Sequence, residues 1–154
     1  FSPAFGVDES KDNLFAAEHA NAYGIHWFYD PILLGKYPEY VVNDLSKSGN
    51  LPDWTVEELE MLKEAAPLND FMGLNYYQPV RVERILGQVE KVEATRENSA
   101  GSPGNPSFDG VYRSVKMTDK IYTKWDWEIS PEGFLLGLEM LNLLKVFVNQ
   151  KVLK

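Results

Sequence analysis

The sequence predicts part of an α/β fold, and three observations carry that expectation. Helical and strand-like segments alternate along the chain, from a helical stretch beginning at Leu14 to a helix opening at Ser130. The apolar faces of those helices are long, as in pieces of a larger core. Residues 70–77, DFMGLNYY, turn from an acid to apolar residues, pass Gly73, and finish on Asn75, Tyr76 and Tyr77. Three hydrogen-bonding side chains at the end of a short strand suit either the rim of a binding site in such a fold or packing before a turn.

The chain has 154 residues, 44% hydrophobic and 25% charged, which suits globular material of ordinary domain size. A complete α/β barrel needs roughly 200 residues or more, so this is expected to be a single piece of one. There is no cysteine, which excludes disulfides and thiolate metal sites and fits a reducing cytoplasm. The longest apolar runs are too short to cross a bilayer. The chain opens FSPAFG, without a methionine, and shows no signal peptide. A net charge of −8, with 15 scattered basic residues, argues against nucleic acid as a partner. Aromatic residues reach 13%, which serves either packing or stacking on the apolar faces of sugars.

Taken in order, residues 1–13 read as loop. From Leu14 to about Tyr29 the pattern is helical, with Phe15, Ala22 and Tyr29 recurring at seven-residue spacing on one face, and Asp30-Pro31 is expected to stop or kink it. PILLGKYP reads as a tight, partly buried connection. Tyr40 to Lys47 suits a short helix ending at Gly49. Thr55 and Glu58 form a capping box at the head of a helix to Ala66, with Val56, Leu59 and Leu62 as its apolar stripe and Pro67 as its stop. DFMGLNYY follows as a strand buried on both faces and closed by Pro79.

RVERILGQVEKVE alternates loosely and suits a hairpin turning near Gly87. Residues 94–107 carry no large apolar side chain and much Gly, Pro, Ser and Asn, so a flexible surface loop is expected there. VYRSVKM alternates as a strand. Ser130-Pro131-Glu132 supplies a cap, a first-turn proline and an acid at the positive end of a helix whose buried face would be Phe134, Leu138, Leu141 and Leu144. NQKVLK reads as the start of a further strand.

His19 and His26 are two helical turns apart, about 10 Å, too far to share a metal, and read as packing or surface residues. Gly101 to Gly104 lacks the spacing and the Lys-Ser/Thr of a phosphate loop. Asp126 and Glu128 flank Trp127; if extended, they would lie on one side about 7 Å apart, and paired carboxylates serve glycoside hydrolysis, although neighbouring acids are more often solvated. Asn75, Tyr76 and Tyr77 admit two readings: the mouth of a catalytic site at a strand's carboxyl end, or a packed tyrosine pair with Asn75 starting a turn before Pro79.

WFYDPILLGKYP at 27–38, DFMGLNYY at 70–77 and WDWEISPEGF at 125–134 occur in this order. Together they resemble family 1 glycoside hydrolases, the β-glucosidase and β-galactosidase family with a (β/α)8 barrel, from about Phe15 to Phe147. SFDGVYRSVKM and KWDWEISPEGF are most similar to the bacterial branch that cleaves 6-phospho-β-glucosides and 6-phospho-β-galactosides. The resemblance implies that DFMGLNYY is the sixth barrel strand. It implies that the Tyr77 hydroxyl hydrogen-bonds a nucleophilic carboxylate, that Asn75 lies beside it, and that Trp127 is a platform for the leaving group.

The family retains anomeric configuration with two glutamates, one in a T-x-N-E-P-like motif and one in a T-E-N-G motif. Neither motif occurs in these 154 residues. The sequence is therefore expected to be a middle portion of a retaining β-glycosidase, inactive alone, with no catalytic residue of its own. No metal or cofactor is expected, and no membrane partner. Its partner would be a small sugar substrate, with self-association of the isolated chain through apolar faces and open strand edges. Two other readings stay open: a self-contained sugar-binding or interaction domain, and a β-glucosidase acting on unphosphorylated sugars.

Overall fold

The computed structural model describes residues 1–87, 107 and 109–149. They fall into two compact units, one holding Phe1, 22–76 and the last helix from Phe134 onward, the other Ser2–Asn21 and Tyr77–Gly133.

The second of these is a helix on a small sheet. Strand β1 (Ala4–Gly6) is followed by helix α1 (Lys11–Asn21), strand β2 (Val80–Arg84) and strand β3 (Tyr112–Ser114). β2 is central, parallel to β1 with Ala4 opposite Val80, and antiparallel to β3 with Val82 opposite Ser114. A parallel pair cannot be closed by a tight turn, and α1 begins the long crossover. Ala16, Ala17 and Ala20 put small side chains on the helix face that meets Ala4 and Val82, with Val80 and Tyr112 half-buried beside them. Two amides tie the helix to the sheet: Asn13 Oδ1 accepts from Arg84 N at 2.8 Å, and Asn21 exchanges two hydrogen bonds with the backbone of Ala4 at 2.8 and 2.9 Å. Each tie supplies a partner to a group that burial would otherwise leave without one.

The other unit is helical. A π turn (Ala22–His26) leads into α2 (Trp27–Leu34), then α3 (Glu39–Ser48), α4 (Val56–Ala65) and a 3₁₀ turn (Ala66–Leu68). The last helix, α5 (Pro131–Asn149), supplies the rest. Thr55 and Glu58 make the expected capping box at the start of α4, with both reciprocal hydrogen bonds present. Gly49 ends α3 in the left-handed conformation, its N–H donating to Leu45 and Ser46 carbonyls. Gly35 does the same for α2 at φ 67°, and a Cβ there would stand 2.6 Å from Lys63 Cα, so glycine is needed both for the turn and for the approach of α4.

Several expectations are corrected. The seven-residue face of Phe15, Ala22 and Tyr29 is not the buried one: Phe15 is 41% exposed, while alanines fill the interface. The π turn after Asn21 resets the helical phase, so a single 3.6-residue period does not run through 14–29. Pro31 does not stop α2, which runs on to Leu34. The carbonyl deprived of its usual donor is that of Trp27, the first residue of α2, where the bonding register has just changed. Val56 is 71% exposed and does not join a buried stripe.

DFMGLNYY is in no ladder, and it is not buried on both faces. Its side chains nonetheless alternate, with Phe71, Gly73, Asn75 and Tyr77 exposed and Met72, Leu74 and Tyr76 half-buried, the period of an extended chain. The antiparallel partner of β2 is β3, and β1 is its parallel one; the expected hairpin near Gly87 needs residues 88–93. On α5, Leu141 is buried, with Gly133 and Gly137 on the same side, whereas Phe134 and Leu138 are 41% and 39% exposed. Of the expected loop at 94–107 only Ser107 is described, and it is buried; the rest of it, the segment 88–93, the side chain of Leu144 and the strand start at 150–154 lie outside the described residues.

Candidate functional site

A tight hairpin carries the tryptophans. Tyr122 and Glu128 form an antiparallel bridge, and Thr123 closes the turn between them. Its N–H donates to Trp127 O at 2.9 Å, its carbonyl accepts from Asp126 N at 3.1 Å, and its hydroxyl accepts from Trp125 N and Trp127 N at 3.3 and 3.2 Å. Asp126 takes the left-handed conformation, φ 61°, which Asp tolerates better than most residues. The segment is therefore turned, not extended, and its two acids have separate partners. Asp126 is exposed and pairs with Lys116 at 2.7 Å. Glu128 is 4% exposed and receives both arms of Arg81, Nη2 to Oε1 at 2.6 Å and Nε to Oε2 at 3.1 Å. The reading of these carboxylates as a catalytic couple is set aside: each holds a cation, and Glu128 is closed to solvent.

The segment before and within β2 anchors this hairpin from the other side. Gln78 Oε1 accepts from Glu128 N at 2.8 Å. The Arg81 guanidinium also lies over the Phe5 ring, 5.4 Å from its centre. Next to Gln78, the Tyr77 ring meets Trp127 at 5.1 Å and 60°, and Trp125 continues the row at 6.2 Å and 40°. Tyr77 is 60% exposed, Trp127 40% and Trp125 77%, so this row of rings keeps open faces. Such faces can stack on the apolar side of a sugar or on an aromatic group, while the tyrosine hydroxyl can hydrogen-bond.

Of the three residues singled out in sequence, Tyr77 and Trp127 are brought into contact. Asn75 belongs to the helical unit, where its side chain is exposed and its carbonyl accepts from the Phe1 amino group at 3.0 Å. Tyr76 packs against Phe134 with ring centres 5.1 Å apart. The pair of adjacent tyrosines is thus split, one packing and one exposed, as the period-two geometry of the segment requires. Gln78, Arg81 and Trp125 were missed. Trp125 shares its motif with Trp127 and its aromatic character was a usable signal; Arg81 and Glu128 are 47 positions apart, and no local pattern links them.

The histidines do not meet. His19 is buried with Nε2 2.5 Å from Asp109 Oδ2, and His26 Nδ1 is 3.0 Å from Asp30 Oδ1. Burial works to raise the Asp109 pKa, but hydrogen bonds from His19, from Ser107 Oγ at 2.6 Å and from the Val111 N–H outweigh it and leave the carboxyl below its ordinary value. Burial, and the Asp109 charge, push the Tyr112 hydroxyl up. This cluster ties Ser107 to Asp109, Val111 and Tyr112. Among the described residues no group of three or more metal-ligating side chains converges.

Residues 3–150 match the family described as Glycosyl hydrolase family 1. An aryl-phospho-beta-D-glucosidase of Bacillus subtilis is 28% identical over 97% of this chain and 32% of its own length. A 6-phospho-beta-galactosidase of Streptococcus pneumoniae (strain TIGR4) is 31% identical over 85% of this chain and 28% of its own. The crystal structure of a GH1 beta-glucosidase from Exiguobacterium antarcticum superposes with a TM-score of 0.66 at 25% identity, over 93% of this chain and 27% of that one. The chain thus spans about a third of the length of the curated relatives it matches.

Proposed function

Because the chain belongs to glycosyl hydrolase family 1, we propose that it is the part of a retaining β-glycosidase that carries the leaving-group side of the sugar site, and that the whole enzyme takes 6-phospho-β-glycosides. The observation that carries this reading is the contact of Tyr77 with Trp127, two rings with open faces on adjoining segments. In this reading Trp127 stacks on the leaving group. The Tyr77 hydroxyl donates to the nucleophilic carboxylate, which favours its ionised form and fixes its aim. Asn75 hydrogen-bonds the sugar or the same carboxylate. The two carboxylates that attack and protonate come from sequence beyond these residues, since Asp126 and Glu128 are committed to Lys116 and Arg81.

The preference for a 6-phosphate is supported by the bacterial relatives, whose names are those of phospho-glycosidases. Such substrates arise when sugars are phosphorylated on uptake, which would place the enzyme in the cytoplasm. Among the described residues no helix is long and apolar enough to cross a membrane.

The test is hydrolysis of 4-nitrophenyl β-glucoside and β-galactoside, each with and without the 6-phosphate, by the complete reading frame and by the 154-residue chain. The complete protein is expected to turn over the phosphorylated pair faster, and the chain alone to release no nitrophenol above buffer. Enzymatic turnover by the chain alone would overturn the assignment of the carboxylates. A preference for the unphosphorylated pair would make the protein a β-glucosidase.

A further inference from the structure

We propose that Arg81 and Gln78 are positioning residues that act through Glu128 to set the 122–128 hairpin, and with it the faces of Trp127 and Trp125, against Tyr77. The proposal rests on the sugar-site reading for its ligand but not for its geometry. The hairpin is tied to the 77–81 segment at three places. Tyr77 meets Trp127 ring to ring at 5.1 Å, Gln78 accepts from the Glu128 amide at 2.8 Å, and Arg81 takes both carboxylate oxygens of Glu128. Three separated attachments fix a small rigid body, whereas the ring contact alone would leave the hairpin free to pivot about it. The turn is itself stiff, because Thr123 binds four of its backbone groups.

The chemistry of the tie suits positioning more than stability. A two-armed guanidinium–carboxylate pair is planar and directional, so it defines an angle as well as a distance. Its burial is strong, Glu128 being 4% exposed, and a buried ion pair is an uncertain source of stability compared with apolar residues of similar size. The extended period then separates the tasks of neighbouring residues. Tyr77 keeps its ring exposed, Gln78 bonds the hairpin backbone, and Arg81 lies over the Phe5 ring. Trp127 has Glu128 as its next residue, so an angular change at the carboxylate moves the indole directly.

The experiment uses the 154-residue chain. The Tyr77–Trp127–Trp125 row should give a coupled circular dichroism band from its close rings, identified by its loss in Trp127→Phe. Binding of 4-nitrophenyl β-D-glucoside 6-phosphate is followed in the same samples by quenching of tryptophan fluorescence. In the double variant Arg81→Met/Glu128→Leu, which leaves no unpaired buried charge, cooperative melting should persist, the coupled band should vanish, and the dissociation constant should rise about tenfold, since bound geometry is sensitive to ångström-scale misplacement. Gln78→Ala, which removes one tie and no charge, should weaken the band and the binding in the same direction by a smaller factor. Arg81→Lys, keeping the charge without the fork, should not restore either signal.

A folded double variant with the wild-type band and affinity would overturn the proposal, and so would full restoration by Arg81→Lys. If the double variant does not fold, an unchanged band in Gln78→Ala overturns the proposal and a weakened one supports it. Failure of the wild-type chain to bind the glycoside would count against the sugar-site reading alone, because the coupled band still decides whether the clamp sets the rings.

Discussion

Each unit of the molecule holds a set of two tryptophans and a tyrosine, and the two sets are put together differently. In the helical unit Tyr37 lies flat on Trp54, ring centres 4.5 Å apart and planes 7° apart, and Trp27 closes on Tyr37 at 4.6 Å. All three are half-buried, and the stacked rings cover one another's faces. In the other unit Tyr77, Trp127 and Trp125 meet at 60° and 40°, their centres 5.1 and 6.2 Å apart, and each is more than a third exposed. Parallel stacking uses up the π-face that a ligand would need, while tilted contacts leave it available. The same residue types therefore join helices in one place and offer a surface in the other. What separates them is the backbone beneath: helix ends and connections in the first, a polar-anchored hairpin in the second.

The largest expected effect is a crossed loss. Trp27→Ala should lower the stability of the chain by about 2–3 kcal/mol, less than for a fully buried tryptophan because the ring is half-buried. Its effect on glycoside quenching, measured below the unfolding transition, should be negligible. Trp127→Ala should do the reverse, costing about 1 kcal/mol because its ring is the more exposed of the two, yet abolishing measurable quenching by the nitrophenyl glycoside. Denaturant titration paired with fluorescence binding checks both. The contrast between the sets breaks down if either substitution moves both readouts equally.

A second difference concerns acid. The unit with the open rings is fastened by Asp109, whose carboxyl titrates below its ordinary value of 3.8 because His19, Ser107 and the Val111 amide bind its charged form. A carboxyl that is more acidic folded than unfolded adds stability that is complete above that ordinary value and is lost as pH falls through the lower folded value. On acidification through and below pH about 4, wild type should therefore lose stability more steeply than Asp109→Asn, while at neutral pH the variant should be the weaker of the two. Thermal melts across that range, read separately through tyrosine and tryptophan signals, provide the check. Parallel curves for the two proteins would show that Asp109 contributes no acid sensitivity.

How much of this was legible in sequence follows from the range of each interaction. The capping box at Thr55 and Glu58 and the glycine stop at Gly49 depend on residues a turn apart, and both were readable. The α/β class was readable through motif order, which also singled out Tyr77 and Trp127, though not the contact between their rings. The phase change at Ala22–His26 was not, because a π turn alters the period with no distinctive residue; nor was the burial of Ala16, Ala17 and Ala20 in place of Phe15, which the sheet beneath α1 decides. The parallel pairing of β1 with β2, and the partners His19–Asp109 and Arg81–Glu128, link distant positions. A single sequence carries no mark of such pairs, and an isolated acid reads as solvated until its cation is seen.

The smallest expected effect tests whether the open set owes its geometry to its own turn as well as to the clamp. Thr123→Val keeps the shape of the side chain and removes the hydroxyl that accepts from Trp125 N and Trp127 N. Those bonds are 3.3 and 3.2 Å long and partly solvated, so their loss should cost only about 0.5–1 kcal/mol. The main-chain bond from Thr123 N to Trp127 O, 2.9 Å, survives the change and should keep the hairpin closed. What should move is Trp125, whose indole is 77% exposed and meets Trp127 with ring centres 6.2 Å apart. Its fluorescence should shift toward that of a solvated indole and become more accessible to acrylamide, while the packed set of Trp27 and Trp54 is undisturbed. Double variants with Trp125→Phe assign the shift. A quenching profile unchanged by Thr123→Val would mean that the clamp at Glu128 orders the whole row by itself, and that the turn contributes only closure.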